Sequence, residues 1–91
     1  MSRPRKPRQC GCQIGGPAFK PQGIPMSQLE RIGLATDELE SLRLCDLLGL
    51  TQQEAGERMG VSRGTVQRTV KRARAKVVRA LLDRSALVME P

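Results

Sequence analysis

Thr51-Gln-Gln-Glu54-Ala55-Gly56-Glu57-Arg58-Met59-Gly60-Val61-Ser62-Arg63-Gly64-Thr65-Val66-Gln67-Arg68-Thr69-Val70 decides the fold. Thr51 and Glu54 have the spacing of a capping box, in which each side chain satisfies a backbone N–H of the first turn. They open a short helix with Ala55 and Met59 on its inner side. Gly60 sits where the helix must end, a position that favours a left-handed backbone and hence glycine. Ser62 then caps a third helix, which meets no Pro or Gly between Gly64 and its end near Asp83. Val66, Val70, Ala73 and Val77 recur at helical spacing as one buried stripe, with Leu81 continuing it. Ala55 and Gly56 supply the small residues that two closely crossing helices need. The pattern is a helix-turn-helix spanning residues 51–76.

Opposite the buried stripe lie Gly64, Gln67, Arg68, Lys71, Arg72 and Ala75, with Arg63 on the flank of the first turn. These are the residues a helix in the major groove uses. Arg pairs with guanine, Gln pairs with adenine, and the groove is wide enough for an α-helix. Helix 63–82 is therefore expected to enter the groove with its first turns. Ser62, Thr65, Lys71 and Arg72 are expected on phosphates, helped by the free N–H groups of the helix N-terminus. Glycine inside a helix costs about 1 kcal/mol relative to alanine, so Gly64 reads either as a point of close approach or as a residue tolerated near a helix end.

Upstream, Thr36 is placed to cap a first helix, with Asp37 and Glu38 in its first turn where the helix dipole favours acids. Leu39, Leu42, Leu47 and Leu48, with Leu44 and Cys45 near the same stripe, read as its apolar face, and Gly49 ends it. Ser27 to Glu30 has capping-box spacing and predicts a short helical turn that Gly33 stops. Residues 1–25 hold five of the six prolines and no periodic apolar pattern. Residues 1–26 thus read as an extended basic arm, pinned in its later part by Ile14, Phe19, Ile24 and Met26. Residues 27–84 read as an all-α domain and residues 85–91 as a short tail.

Charge points to a polyanion. The formal net charge is +7, and it is segregated. Residues 30–57 carry seven acids, whereas Arg58, Arg63, Arg68, Lys71, Arg72, Arg74, Lys76 and Arg79 follow with no acid among them. An ordinary solvated helix face mixes signs to gain pairs one turn apart, so a basic surface is expected here, and it attracts phosphates by releasing counterions. Arg3, Arg5, Lys6 and Arg8 on the arm suit a minor groove, where narrow A·T tracts concentrate negative potential, with a disordered basic tail that only raises the on-rate as the alternative.

Asp37–Leu82, from Asp-Glu-Leu-Glu-Ser-Leu-Arg-Leu through Gly-Leu-Thr-Gln-Gln-Glu-Ala to Ala-Arg-Ala-Lys-Val, resembles the fourth region of bacterial sigma factors. Joined to Arg3–Lys6 and to Phe-Lys-Pro-Gln-Gly-Ile-Pro at 19–25, it is similar to a small bacterial and archaeal family of predicted DNA-binding proteins of unknown function. The resemblance implies a sigma-region-four-like fold and base-facing roles for Arg63, Gly64, Gln67 and Arg68. Gly64 departs from the longer side chain common there in sigma factors. It also implies a rival reading, an adaptor that binds RNA polymerase or another regulator through the acidic residues 30–57.

Other classes have less support. There is no histidine, no phosphate loop after a strand and no serine nucleophile motif, so no enzyme is expected. A lone aromatic, Phe19, makes no platform for stacking single-stranded bases. Cys10 and Cys12 could chelate a soft metal or sense redox state, but a closed tetrahedral site needs four ligands. The leading reading is two plain thiols and no cofactor, with Cys45 packed as a small hydrophobe. No apolar run spans a bilayer and no signal segment follows the basic start, so a cytoplasmic protein is expected. One reader helix covers few base pairs, which makes a homodimer on half-sites one turn apart a natural expectation.

Overall fold

A computed structural model of the chain describes residues 18–90. Three helices carry most of it: α1 (Thr36–Leu42), α2 (Gln52–Met59) and α3 (Arg63–Asp83). A turn of π-helix, Arg43–Leu47, extends α1, and a 3-10 turn covers Met26–Gln28. The expectation of an all-α chain is corrected by a small sheet of β1 (Ala18–Phe19), β2 (Arg31–Leu34) and β3 (Ala86–Met89), in the order β1-β3-β2.

β3 is the central strand. It pairs antiparallel with β1, Phe19 facing Leu87, and parallel with β2, from Arg31 opposite Ala86 to Leu34 opposite Met89. Parallel strands need a long crossover, and here the whole helical body supplies it. The residues expected to be a tail therefore close the fold. Gly33, expected to stop a helical turn, instead lies inside β2 opposite Val88.

α3 spans the molecule, and α1 and α2 pack on it. Val66, Val70 and Ala73 are fully buried, as the stripe predicted, but Leu81 is 75% exposed and Ala80 takes its place inside. Leu44, Ala55 and Val66 form the core cluster, with Cys45, Leu50 and Met59 packed against it.

α1 differs most from its sequence reading. Leu39, Leu47 and Leu48 are exposed, while Glu38, Ser41 and Leu44 face inward. Two causes combine: the π turn shifts the phase of the helix after Leu42, and the buried Glu38 is charged, so an apolar pattern misses it. Thr36 does not cap α1. Ala35 holds the N-cap position, its N–H donating to Glu38 Oε1 at 2.9 Å. The Thr36 hydroxyl donates instead to the Glu90 carbonyl at 3.1 Å, tying α1 to the end of β3.

Candidate nucleic-acid interface

α2 and α3 are joined by Gly60, Val61 and Ser62. The capping box forms as its spacing requires: the Glu54 N–H donates to Thr51 Oγ1 at 3.1 Å and the Thr51 N–H donates to Glu54 Oε1 at 2.9 Å. Gly60 is left-handed, φ 73°, a conformation that carries little cost only for glycine. Gly56 is buried against the connection, and a Cβ there would stand 2.7 Å from the Val61 carbonyl oxygen. Only glycine lets α2 and the turn approach this closely. Ser62 caps α3 by accepting from the Thr65 N–H at 3.1 Å.

The outer side of the first turns of α3 carries Arg63, Gln67, Arg68 and Lys71, all exposed. None of these three cations joins an ion pair among the described residues. Gly64 and Thr65 are half-buried between them. Arg68 folds back over this turn, Nη2 lying 3.4 Å from Thr65 Oγ1, while the Thr65 and Ser62 hydroxyls sit 3.0 Å apart. A Cβ on Gly64 would meet Arg68 Nη1 at 3.5 Å and Ser62 Oγ at 4.0 Å, ordinary contacts. Among the described residues nothing therefore requires glycine at position 64.

Farther along α3 the basic run is partly spent on the fold. Arg72 Nε donates to Glu38 Oε2 and Lys76 Nζ to Glu38 Oε1, each at 2.7 Å. Lys76 also donates to the Gly33 carbonyl at 2.8 Å, so one ammonium joins β2, α1 and α3. Burial alone would raise the Glu38 carboxyl. The Lys76 ammonium, the Ala35 N–H and the Arg72 guanidinium outweigh it and hold the group at about 2. Arg74 pairs with Asp46 through two hydrogen bonds, at 2.7 and 3.1 Å. Of the residues expected on phosphates, Ser62, Thr65 and Lys71 lie by the open turns, whereas Arg72 is held by one edge to Glu38 with half its side chain exposed. Sequence reading missed Glu38 and Asp46 because each meets its cation only across the fold. The run Arg72, Arg74, Lys76 is a weak signal that such partners exist.

Four of the seven acids in residues 30–57 are occupied, while Glu30, Asp37 and Glu57 are exposed. Glu38 and Asp46 hold α3, Glu40 pairs with Arg43 on its own helix, and Glu54 caps α2. Cys45 packs against the core cluster, and burial, with Asp46 beside it, pushes its thiol up. Among the described residues no three His, Cys, Asp or Glu side chains gather as a metal site. No helix there is long and apolar enough to cross a membrane. The expected arm residues Arg3, Arg5, Lys6 and Arg8, together with Cys10, Cys12 and Ile14, fall outside the described residues.

The model of a family described as "Protein of unknown function DUF134" matches residues 1–91. A UPF0251 protein of Vibrio cholerae is 51% identical over 90 residues, covering 99% of this chain and 92% of its own length. One from Aeromonas salmonicida is 50% identical over 90 residues, covering 99% and 88%. A third, from Desulforudis audaxviator, is 48% identical over 90 residues, and the match covers 99% of this chain but 59% of that longer protein. No solved structure matches.

Proposed function

We propose a function for this chain, which belongs to the family described as protein of unknown function DUF134: it binds double-stranded DNA in a sequence-dependent way, as a transcriptional regulator, with α2 and α3 acting as a helix-turn-helix. One observation carries the reading. The first turns of α3 expose Arg63, Gln67, Arg68 and Lys71 around a glycine that no contact among the described residues requires. Side chains able to pair with base edges suit a helix docking into the major groove, and a glycine beside them lets the backbone come close. Arg63, Gln67 and Arg68 read base edges, and Ser62, Thr65 and Lys71 hold phosphates. Arg72 contributes only the guanidinium edge that Glu38 leaves free. Arg3, Arg5, Lys6 and Arg8 follow the neighbouring minor groove. The reading includes no catalytic step.

An adaptor for RNA polymerase fits less well. Its docking surface is the acidic stretch, where Glu38, Glu40, Asp46 and Glu54 are already paired or capping, which leaves it Glu30, Asp37 and Glu57.

Selection of bound duplexes from a random pool tests the proposal and reports the site and its symmetry. A palindromic site with half-sites one turn apart identifies a homodimer. On the selected site, Arg68→Ala should cost about 1–3 kcal/mol and relax one base position. Lys71→Ala should weaken all sequences alike and lower the salt slope by about one. Recovery of no preferred sequence, with Arg68→Ala and Lys71→Ala behaving alike, would leave only nonspecific attraction.

A further inference from the structure

At the other end of α3 from the proposed reader turns, a groove open on one side encloses about 690 Å³. Its walls are apolar and come from separate parts of the fold: Ile24 after β1, Leu42 of α1, Val77 and Ala80 of α3, and Leu87 and Met89 of β3. Phe19, Leu39 and Leu81 stand at its edges, 73%, 44% and 75% exposed. Ligand pockets for small molecules have volumes of roughly 300–1,000 Å³, apolar walls and a few placed polar groups. The polar groups here are two neutral ones, Gln22 and Ser85, and two cations. Arg84 and Lys20 line the groove, and no Asp or Glu does.

Arg84 is the more telling of the two. It is the only non-glycine residue with positive φ among the described residues, 55°, at the C-terminus of α3. The left-handed residue that ends a helix is usually glycine, and any other carries a steric cost. Here that position carries a guanidinium with no hydrogen bond or ion pair among the described residues. Lys20 Nζ donates to the Pro21 and Ile24 carbonyls, at 3.2 and 2.7 Å, which holds the ammonium at the groove with one N–H to spare.

We propose that this groove binds a free aliphatic carboxylate of a single alkyl chain, the chain lying between α1 and the C-terminal half of α3 and the carboxylate meeting Arg84 and Lys20. Charge selects this occupant. A second copy docked face to face would bring a second Arg84 and Lys20 against the first, with no lining acid to offset them. A neutral apolar molecule would fill the apolar walls but would use neither the Arg84 guanidinium nor the spare Lys20 N–H. The inference does not rest on DNA binding, since every residue it uses lies away from Arg63–Lys71.

Titration calorimetry and thermal melts of the full chain without DNA test it, with dodecanoate below its micelle concentration. Dodecanol and dodecyltrimethylammonium serve as neutral and cationic controls. Dodecanoate should bind saturably, one per chain, and raise the melting temperature as any ligand of the native state does. Arg84→Gly keeps the left-handed backbone while removing the charge. It should weaken dodecanoate at least tenfold and leave dodecanol unchanged. Leu81→Glu, at an exposed position, should weaken both. Equal dodecanoate affinity in Arg84→Gly and the parent would overturn the proposal, as would non-saturable binding with a falling melting temperature. Binding confined to oleate-bearing vesicles would assign the groove to a membrane surface. A dimer that Leu81→Glu dissociates and dodecanoate leaves intact would assign it to a second copy.

Discussion

Position 64 separates the needs of the fold from those of a ligand. Gly56 is fixed by the chain itself, because a Cβ there would press on the Val61 carbonyl oxygen at 2.7 Å, whereas a Cβ on Gly64 meets only ordinary contacts. Gly64→Ala should stabilise the protein by about 0.5–1 kcal/mol through helix propensity, raising the melting temperature by a few degrees, and should weaken binding to the selected duplex. Unchanged DNA affinity would mean that α3 does not approach a groove at this residue. Glu38 gives a pH signature. Its carboxyl is held at about 2 against an ordinary 4.5. The stability it adds is therefore complete above about pH 4.5 and is lost as pH falls from there toward 2, by up to about 3 kcal/mol. In urea titrations at about pH 7 and pH 3, the parent should lose more stability than Glu38→Gln between the two. Equal losses would show that the Lys76 and Arg72 contacts are not held in solution. The glycines were legible in the sequence because turn chemistry is local. Glu38 was not, since a buried acid becomes acceptable only through two cations more than thirty residues away.

Among the elements, α2 and α3 follow their sequence closely. Both caps, the Gly60 turn and the end at Asp83 lie where local chemistry puts them. The stripe Val66, Val70 and Ala73 is buried as its period predicts, and the miss at Leu81 has a physical reason. The groove beside the C-terminal half of α3 leaves Leu81 without cover, while the smaller Ala80 fits against the body. The apolar pattern places α1 out of phase because the inward position 38 holds an acid and because Arg43–Leu47 is a π turn, which the α period cannot follow. The two sides of α3 should respond oppositely to the same change. Val70→Asp puts an unpaired carboxylate at a site 1% exposed, which costs enough to unfold the domain. Ala75→Asp, on the exposed side, should leave the circular dichroism melt within about 0.5 kcal/mol of the parent's stability and weaken DNA binding through charge. Coincident melts for the two variants would contradict the burial pattern of α3.

On the scale of the whole molecule, the sheet holds together what sequence reading separated into arm, domain and tail. Strands of two to four residues, one containing a glycine, give no alternating pattern to detect, and the β2–β3 pairing joins opposite ends of the helical body. All described strand pairing runs through β3, so its removal orphans both partners at once. Leu34, 1% exposed, loses a neighbouring strand, and Thr36 loses the Glu90 carbonyl that ties α1 down. Lys76 keeps Glu38 but loses a fixed Gly33 carbonyl once β2 is free to move. Deleting residues 86–91 should thus cost about 2–5 kcal/mol, the range for emptying a core leucine site. In a domain of this size each kcal/mol shifts the melting temperature by about 4–8 °C, so the loss should be about 8–40 °C. The helices have their own core at Leu44, Ala55 and Val66, away from the sheet, so far-UV helical signal should survive at low temperature. Nitrogen-15 amide spectra can then distinguish the regions. Residues 18–34 should move to unstructured positions while α2 and the first half of α3 keep theirs. Because the proposed DNA contacts lie in that retained half, specific DNA affinity should persist below the lowered melting temperature. A truncated chain that melts like the parent would show that the strands decorate the helical body without stabilising it. Loss of α2 and α3 together with the strands would make the sheet a condition for the whole fold.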